Sequence, residues 1–270
     1  MKLKRPLIAL LSDFGKRDWF VGAMKGVLYS ITPEATIVDI SHDITPYNVL
    51  EGAFCLNMAY RHFPGGTVFC GVVDPGVGSE REPIVIYGDG CYYVGPNNGL
   101  FHFIIAELKD WECRIIQNSA FMLNEVSATF HGRDIFAPTA AHLAAGTHFE
   151  DAGPELRKER IVRLDKYEPE ITPKGVRTRV VYIDRFGNLI TNCTHGHFGP
   201  IEKIRKASIN KNEIVITPGQ TFGDVDAGET IAYVGSSGFL EIAVNQRNAS
   251  EIFNVRVGDL IDVSLLEEQK

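Results

Sequence analysis

Between Leu7 and Val73 short apolar runs alternate with stretches of helical periodicity, and that alternation limits the folds open to the chain. "LIALLS" is a continuous apolar run, and "DWFVGAMKGVLYSI" carries apolar residues at helical spacing. "TIVDIS" then reads as a strand, "NVLEGAFCLNMAYRHF" as a helix and "TVFCGVV" as a further strand. Such repetition predicts a parallel or mixed sheet with helices on both faces. Sheets of this kind bind ligands at the carboxyl ends of their strands. Asp13, Asp43 and Asp74 stand after or near the ends of the first three strands, which favours a site over scattered surface charge.

From about His148 to Gly175 the chain turns charged and Pro-bearing, without amphipathic periodicity, and reads as a linker. Beyond it come short β-like segments separated by turn residues: "VRTRVVYID", "EIVITP", "TIAYVGS", "FLEIAV" and "LIDVSLL". The expected fold is α/β. An N-terminal mixed or parallel sheet flanked by helices spans 1–150, a linker 151–175, and a smaller all-β, barrel-like domain 176–270. A chain of 270 residues has room for both domains.

Net charge of −7 argues against nucleic acid or an anionic membrane as the main partner. The apolar part of the N-terminus, Pro6 to Leu11, is too short for a secretory signal and runs into Asp13, so a first core strand is expected. No apolar run reaches membrane-spanning length. The five cysteines are scattered, odd in number and form no CxxC pair, as in reduced thiols of a cytoplasmic protein.

"VVDPGVGSEREPI" places a carboxylate, Asp74, at a strand end and a guanidinium, Arg81, across the turn that follows. "SDFG" (Ser12 to Gly15) matches a kinase triplet, but the other kinase signatures are missing; a ribose-binding carboxylate and a plain turn Asp both remain open. "HGRDIFAP" puts His131 and Asp134 before an apolar helix whose start they are placed to cap. Convergence of Asp13, Asp43, Asp74, His42 and His131 on one ion is a further alternative, yet no metal-binding spacing supports it. "GPNNGLF" is a turn into a helix with a structural reading for its Asn pair. A hairpin turn accounts for Phe186-Gly187-Asn188, whereas the polar cluster Asn245 to Asn248 after an apolar strand suits a ligand with many donors and acceptors.

Seven motifs in order, "SDFG", "ITPYNVLEGA", "VVDPGVGSER", "GPNNGL", "TFHGRDIFAP", "DRFGNLITN" and "SSGFLEIAVNQ", resemble one family over Leu7 to Leu265. That family is the S-adenosyl-L-methionine hydroxide adenosyltransferases, relatives of fluorinating and chlorinating enzymes that use the same substrate. The resemblance implies hydrolysis of S-adenosyl-L-methionine to adenosine and methionine, without metal or cofactor. It also implies a homotrimer, with each active site between the N-terminal domain of one subunit and the C-terminal barrel of its neighbour.

By that resemblance Asp74, Arg81 and His131 surround the nucleophilic water. Asp13 is expected to hold the ribose diol and Tyr47 to lie along the ribose or adenine. Phe186 and Phe222 would form the adenine pocket, with Asn188 and Gln246 on the adenine edge. Asp184 and Ser236 would meet the methionine amino and carboxylate ends, although Ser237 replaces an arginine that helps there in the fluorinating enzyme. Halogenating members carry an uncharged residue where Asp74 stands, and a carboxylate would repel a desolvated halide. By the same resemblance Gly132 falls where the fluorinating enzyme has a serine near its halide. The hydrolase reading thus leads three others: a halogenase, a non-catalytic S-adenosylmethionine or adenosine sensor, and a metal-dependent phosphoesterase.

Overall fold

The computed structural model describes residues 5–165, 167–209 and 212–265. The chain divides into two compact units, Met1–Leu164 and Asp165–Lys270.

In the first unit, β1 (Leu7–Ser12), α1 (Phe20–Ile31), β2 (Thr36–Ser41), α2 (Val49–Tyr60) and β3 (Val68–Val72) follow the expected alternation. After them come β4 (Pro83–Gly88), β5 (Cys91–Pro96), α3 (His102–Glu107), β6 (Trp111–Ile115) and α4 (Ala137–Ala144). The sheet runs β2-β1-β3-β5-β4-β6. Strands β2, β1, β3 and β5 are parallel, while β4 is antiparallel to β5 and β6. Alternate residues of the strands point to opposite faces. Ile8, Leu10, Val68 and Cys70 join Met24 and Leu28 of α1 and Ala140 and Ala141 of α4 in one core. Gly71 turns the other way, toward Leu56 of α2. The chain leaves β1 in one direction for β2 and returns past it to β3, so a switch point falls at the ends of β1 and β3. Asp13 and Asp74 occupy those ends.

The β4–β5 hairpin was not anticipated. It closes through Asp89 (φ 48°) and Gly90 (φ 76°), the two positive-φ residues that a tight primed turn requires. Part of the segment expected as linker is held on the first unit: Leu156 is 1% exposed, and the backbone of 152–156 bonds to Cys113, Ile115 and Gln117.

The second unit comprises β7 (Glu170–Thr172), β8 (Gly175–Ile183), β9 (Leu189–Thr194), α5 (His195–Phe198), β10 (Ile204–Ile209), β11 (Asn212–Val215), β12 (Thr217–Pro218), β13 (Thr230–Val234), β14 (Phe239–Val244), α6 (Ala249–Phe253) and β15 (Leu260–Leu265). They form one sheet in the order β11-β10-β15-β8-β9-β14-β13-β12, with β7 on β8. "EIVITP", read as one strand, splits into β11 and β12 because Ile216 turns into the core. The Ile216 amide donates to the Arg205 carbonyl at 3.0 Å, carrying the chain back to β10 and nearly closing a barrel. The interior is apolar, built from Val180, Leu189, Ile204, Leu240, Ile242 and Ile261 among others. No described helix is long and apolar enough to cross a membrane.

Candidate active site

The turn after β3 builds the first constellation. Asp74 N-terminates the loop, and Val77 and Ser79 amides close it onto the carbonyls of Asp74 and Gly76. Gly78 has φ +78°, and a Cβ there would lie 2.5 Å from the Ala128 carbonyl oxygen, so only glycine fits. The turn brings Arg81 back onto Asp74. Its Nε donates to Oδ1 at 3.1 Å and its Nη2 to Oδ2 at 2.5 Å, a two-point ion pair with both side chains at most 7% exposed. The guanidinium rests on the Phe136 ring at 5.3 Å. The second Nη2 hydrogen goes to His131 Nδ1 at 3.1 Å, and Nη1 is buried without a partner among the described residues.

Arginine has no acceptor to offer, so the Arg81 contact fixes His131 Nδ1 as the unprotonated nitrogen. Burial, and then the Arg81 charge, push the His131 pKa below its ordinary value. The neutral ring therefore carries its proton on Nε2. Asp74 moves the other way: burial raises its pKa, and the Arg81 charge and hydrogen bonds only partly offset this.

His131 and Asp134 do not cap a regular helix as expected. Residues Gly132–Phe136 form a π-helix that runs into α4, with the Ala137 amide donating to the Gly132 carbonyl. Pro138 supplies the cause: it has no N–H for the Asp134 carbonyl, which instead accepts from the Leu123 amide at 2.9 Å. The Asp134 side chain, fully buried, takes Ser127 N–H at 2.9 Å and the Arg133 guanidinium.

A cavity of about 360 Å³ at the strand ends is lined by Asp13, Tyr47, Asp74, His131 and Gly132. Asp13 Oδ2 accepts the Tyr47 amide at 2.8 Å, which holds Tyr47 at φ 67°, with 73% of the residue exposed. A second cavity, about 740 Å³, lies in the other unit and is lined by all six residues expected there: Asp184, Phe186, Asn188, Phe222, Ser236 and Gln246. Gln246 also has positive φ, 59°. Asp43 and His42 do not join the first group. Asp43 pairs with Lys16 at the surface, and no cluster of three or more His, Cys, Asp or Glu among the described residues is arranged to hold a metal.

Comparison with known proteins gives the family. A model of the SAM hydroxide adenosyltransferase N-terminal domain matches residues 8–153, and one of the C-terminal domain matches 178–262. The chain belongs to the SAM hydroxide adenosyltransferase family. It is 36% identical over 262 residues to a protein of Salinispora tropica named (R)-S-adenosyl-L-methionine hydrolase, covering 96% of this chain and 98% of the relative. A protein of the same name from Thermus thermophilus is 37% identical over 267 residues (93% and 96%). A fluorinase of Nocardia brasiliensis is 30% identical over 295 residues (97% and 98%). The crystal structure of an uncharacterized conserved protein from Thermotoga maritima superposes with a TM-score of 0.88 at 37% identity, over 95% of this chain and 99% of that one.

Two features of this family member escaped the sequence reading. Behind Asp13, the Phe14 amide donates to Ser12 Oγ at 3.3 Å, Ser12 bonds His42 Nδ1 at 2.7 Å, and His42 Nε2 faces Asp39 Oδ1 at 3.2 Å, off the line of a good hydrogen bond. Gly15 N–H meanwhile donates to the His42 carbonyl at 2.7 Å. His42 thus anchors the loop that presents Asp13. The second feature is Glu241, a carboxylate on the wall of the larger cavity and only 7% exposed. Its signal was a lone Glu in the apolar run "FLEIAV".

Proposed function

We propose that the protein hydrolyses S-adenosyl-L-methionine to adenosine and L-methionine, by attack of water on the ribose 5′ carbon. The observation that carries this reading is the buried Asp74–Arg81 ion pair, with His131 bonded to it on the cavity wall, at the switch point of the sheet. The relatives named as hydrolases of this substrate, at 36% and 37% identity over nearly the whole chain, support it.

The chemistry follows from the protonation pattern. As the C5′–O bond forms, the C5′–S bond breaks with its electron pair passing to sulfur, and methionine leaves as a neutral thioether. No acid is needed for the leaving group; the hard step is removing a proton from water, whose pKa in bulk is ~15.7. His131 has no free lone pair, since Nδ1 is held by Arg81 and Nε2 carries the hydrogen. Asp74 is therefore the proton acceptor, its basicity raised by burial. His131 Nε2–H supplies a donor for the developing hydroxide, and the Arg81 charge behind Asp74 and His131 favours it electrostatically. Hydroxide and sulfonium cancel charge, so a pocket shielded from water favours the reaction. Asp13 receives the ribose diol through the lone pairs that the Tyr47 amide leaves free. Tyr47 lies along the ribose or adenine; Phe186 and Phe222 flank the adenine, and Asn188 and Gln246 bond its edge. Asp184 and Ser236 lie at the methionine end. We further propose a cytoplasmic homotrimer whose sites form between subunits, and domains 1–150 and 176–270 joined through 151–175.

The test is to incubate chelator-treated protein with S-adenosylmethionine in ¹⁸O-water containing chloride. Adenosine labelled at the 5′ oxygen, with methionine, is the expected result. Chlorinated adenosine would indicate a halogenase, and binding without turnover a sensor.

A further inference from the structure

We propose that Glu241 binds the substrate's ammonium group, so that sulfonium nucleosides keeping the ammonium but lacking the carboxylate are substrates too. This deepens the hydrolase reading and rests on it.

Glu241 sits on β14 between Leu240 and Ile242, both fully buried. A carboxylate in such a place costs free energy unless it is hydrogen-bonded. The fold provides for it in three ways. Tyr233 Oη donates to Oε2 at 2.7 Å, and Ser237 Oγ donates to Oε1 at 3.1 Å. The third provision is room: a Cβ on Gly235 would fall 1.7 Å from Oε1. Both donors are neutral, and no Lys or Arg among the described residues forms an ion pair with Glu241. Each oxygen keeps a lone pair free, and the carboxylate faces a cavity whose one lining cation, Arg247, forms no ion pair with it among the described residues.

Asp184, the carboxylate expected to take the ammonium, is engaged elsewhere. Its Oδ1 accepts the Phe186 and Asn188 amides, both at 2.9 Å, and its Oδ2 accepts the Asn188 side chain at 2.8 Å. These bonds hold its own turn. Asp184 keeps a free lone pair on Oδ2 alone, whereas Glu241 keeps one on each oxygen, and Asp184 adds to the negative potential around it. Ser237 stands where the fluorinating enzyme has its carboxylate-binding arginine, but here the hydroxyl proton goes to Glu241. Two carboxylates, Glu241 and Asp184, thus make this end attractive to positive charge, while the lining cation, Arg247, lies with its guanidinium beside Gly228.

The experiment compares S-adenosylmethionine, its decarboxylated analogue and its deaminated analogue, as substrates and as ligands in calorimetry, with wild type and Glu241→Gln. Adenosine binding reports whether each protein keeps an intact pocket. The decarboxylated analogue is expected to match S-adenosylmethionine within about tenfold in kcat/KM, and the deaminated one to lose about tenfold to a hundredfold, as for one charged hydrogen bond. Glu241→Gln should raise KM for both ammonium-bearing compounds by a similar factor, with kcat little changed. Equal handling of the deaminated compound, or rejection of the decarboxylated one, overturns the proposal. If wild type turns over nothing, the hydrolase reading fails, and the same calorimetric comparison still decides the role of Glu241. If the Gln variant loses adenosine binding, the wild-type preference among the analogues and the charge-retaining Glu241→Asp decide instead.

Discussion

Asp74 and Arg81 form a pair in which each keeps the other tolerable in a buried place, and removing one charge has two separable effects. Asp74→Asn keeps the shape but removes the proposed base; turnover is expected to fall by about 10²–10⁴-fold, read from adenosine release. Arg81→Leu strands a buried carboxylate, for which the expected loss is about 3–5 kcal/mol, read from urea unfolding. Gly132 tests nucleophile choice. A Cβ there would lie 3.2 Å from the Phe14 ring and 3.4 Å from Met24 Sδ, so Gly132→Ser requires the ring to shift by a few tenths of an ångström. The serine alone is expected to leave chloride unused while Asp74 keeps its charge, measured as absence of chlorinated adenosine. At the first cavity only Asp74 and Arg81, a carboxylate and a guanidinium across one turn, stood out locally; Asp13, Tyr47 and His131 were named through the family resemblance. Glu241 was not legible, because only the fold shows that the strand turns this one carboxylate away from the barrel interior and onto the cavity wall beside Tyr233.

Among the elements, the π-helix at Gly132–Phe136 sets the position of His131. Restoring the missing donor with Pro138→Ala lets an amide compete for the Asp134 carbonyl and favours a regular α-helical turn. We expect kcat to fall while the unfolding midpoint holds or rises, a combination measurable by kinetics alongside thermal denaturation. Strands β1 and β3 were readable from sequence because they are buried on both faces as continuous apolar runs, and α1 because it is periodic; β5 went unread. Strands β9 and β10 were harder. "LITNCT" buries Thr191 and Asn192, which find partners in the Leu240 carbonyl and in Thr178, and "IRKASI" carries two exposed basic residues, so neither looks apolar. Tertiary pairing, not local pattern, makes them strands. The Asp89–Gly90 turn, by contrast, carried its hairpin signal in plain view.

For the molecule as a whole, buried titratable groups tie stability to pH. His42, His131 and His142 have pKa values lowered chiefly by burial, whereas in the unfolded chain a histidine titrates near ~6.5. The unfolded state then takes up protons first, so this stability is present above pH ~6.5 and is lost as pH falls through the folded values. Asp13, Asp74 and Glu241, raised by burial, act oppositely: their contribution is present below the unfolded carboxylate range and is lost as pH rises through the folded values. His142→Gln should flatten the fall of the urea midpoint between pH 7.5 and about 5.5 without changing kcat. Assembly has its own assay. If sites form between subunits, mixing Asp74→Asn with Glu241→Gln chains should restore up to about a quarter of wild-type kcat/KM at low substrate, since a quarter of random pairings are intact; two variants unable to complement would place each site within one chain.

Each cavity draws its lining from a single unit, and that division has an evolutionary consequence. The groups proposed to choose the nucleophile and hold the ribose, with Tyr47 beside them, and those proposed to bond the adenine edge and the amino-acid end are inherited as separate blocks of sequence. A chimera carrying the first unit of this chain and the second unit of a fluorinase relative would keep water as its nucleophile while exchanging its reading of the adenosyl donor. Within such a family, reaction type and substrate recognition are free to diverge at different rates.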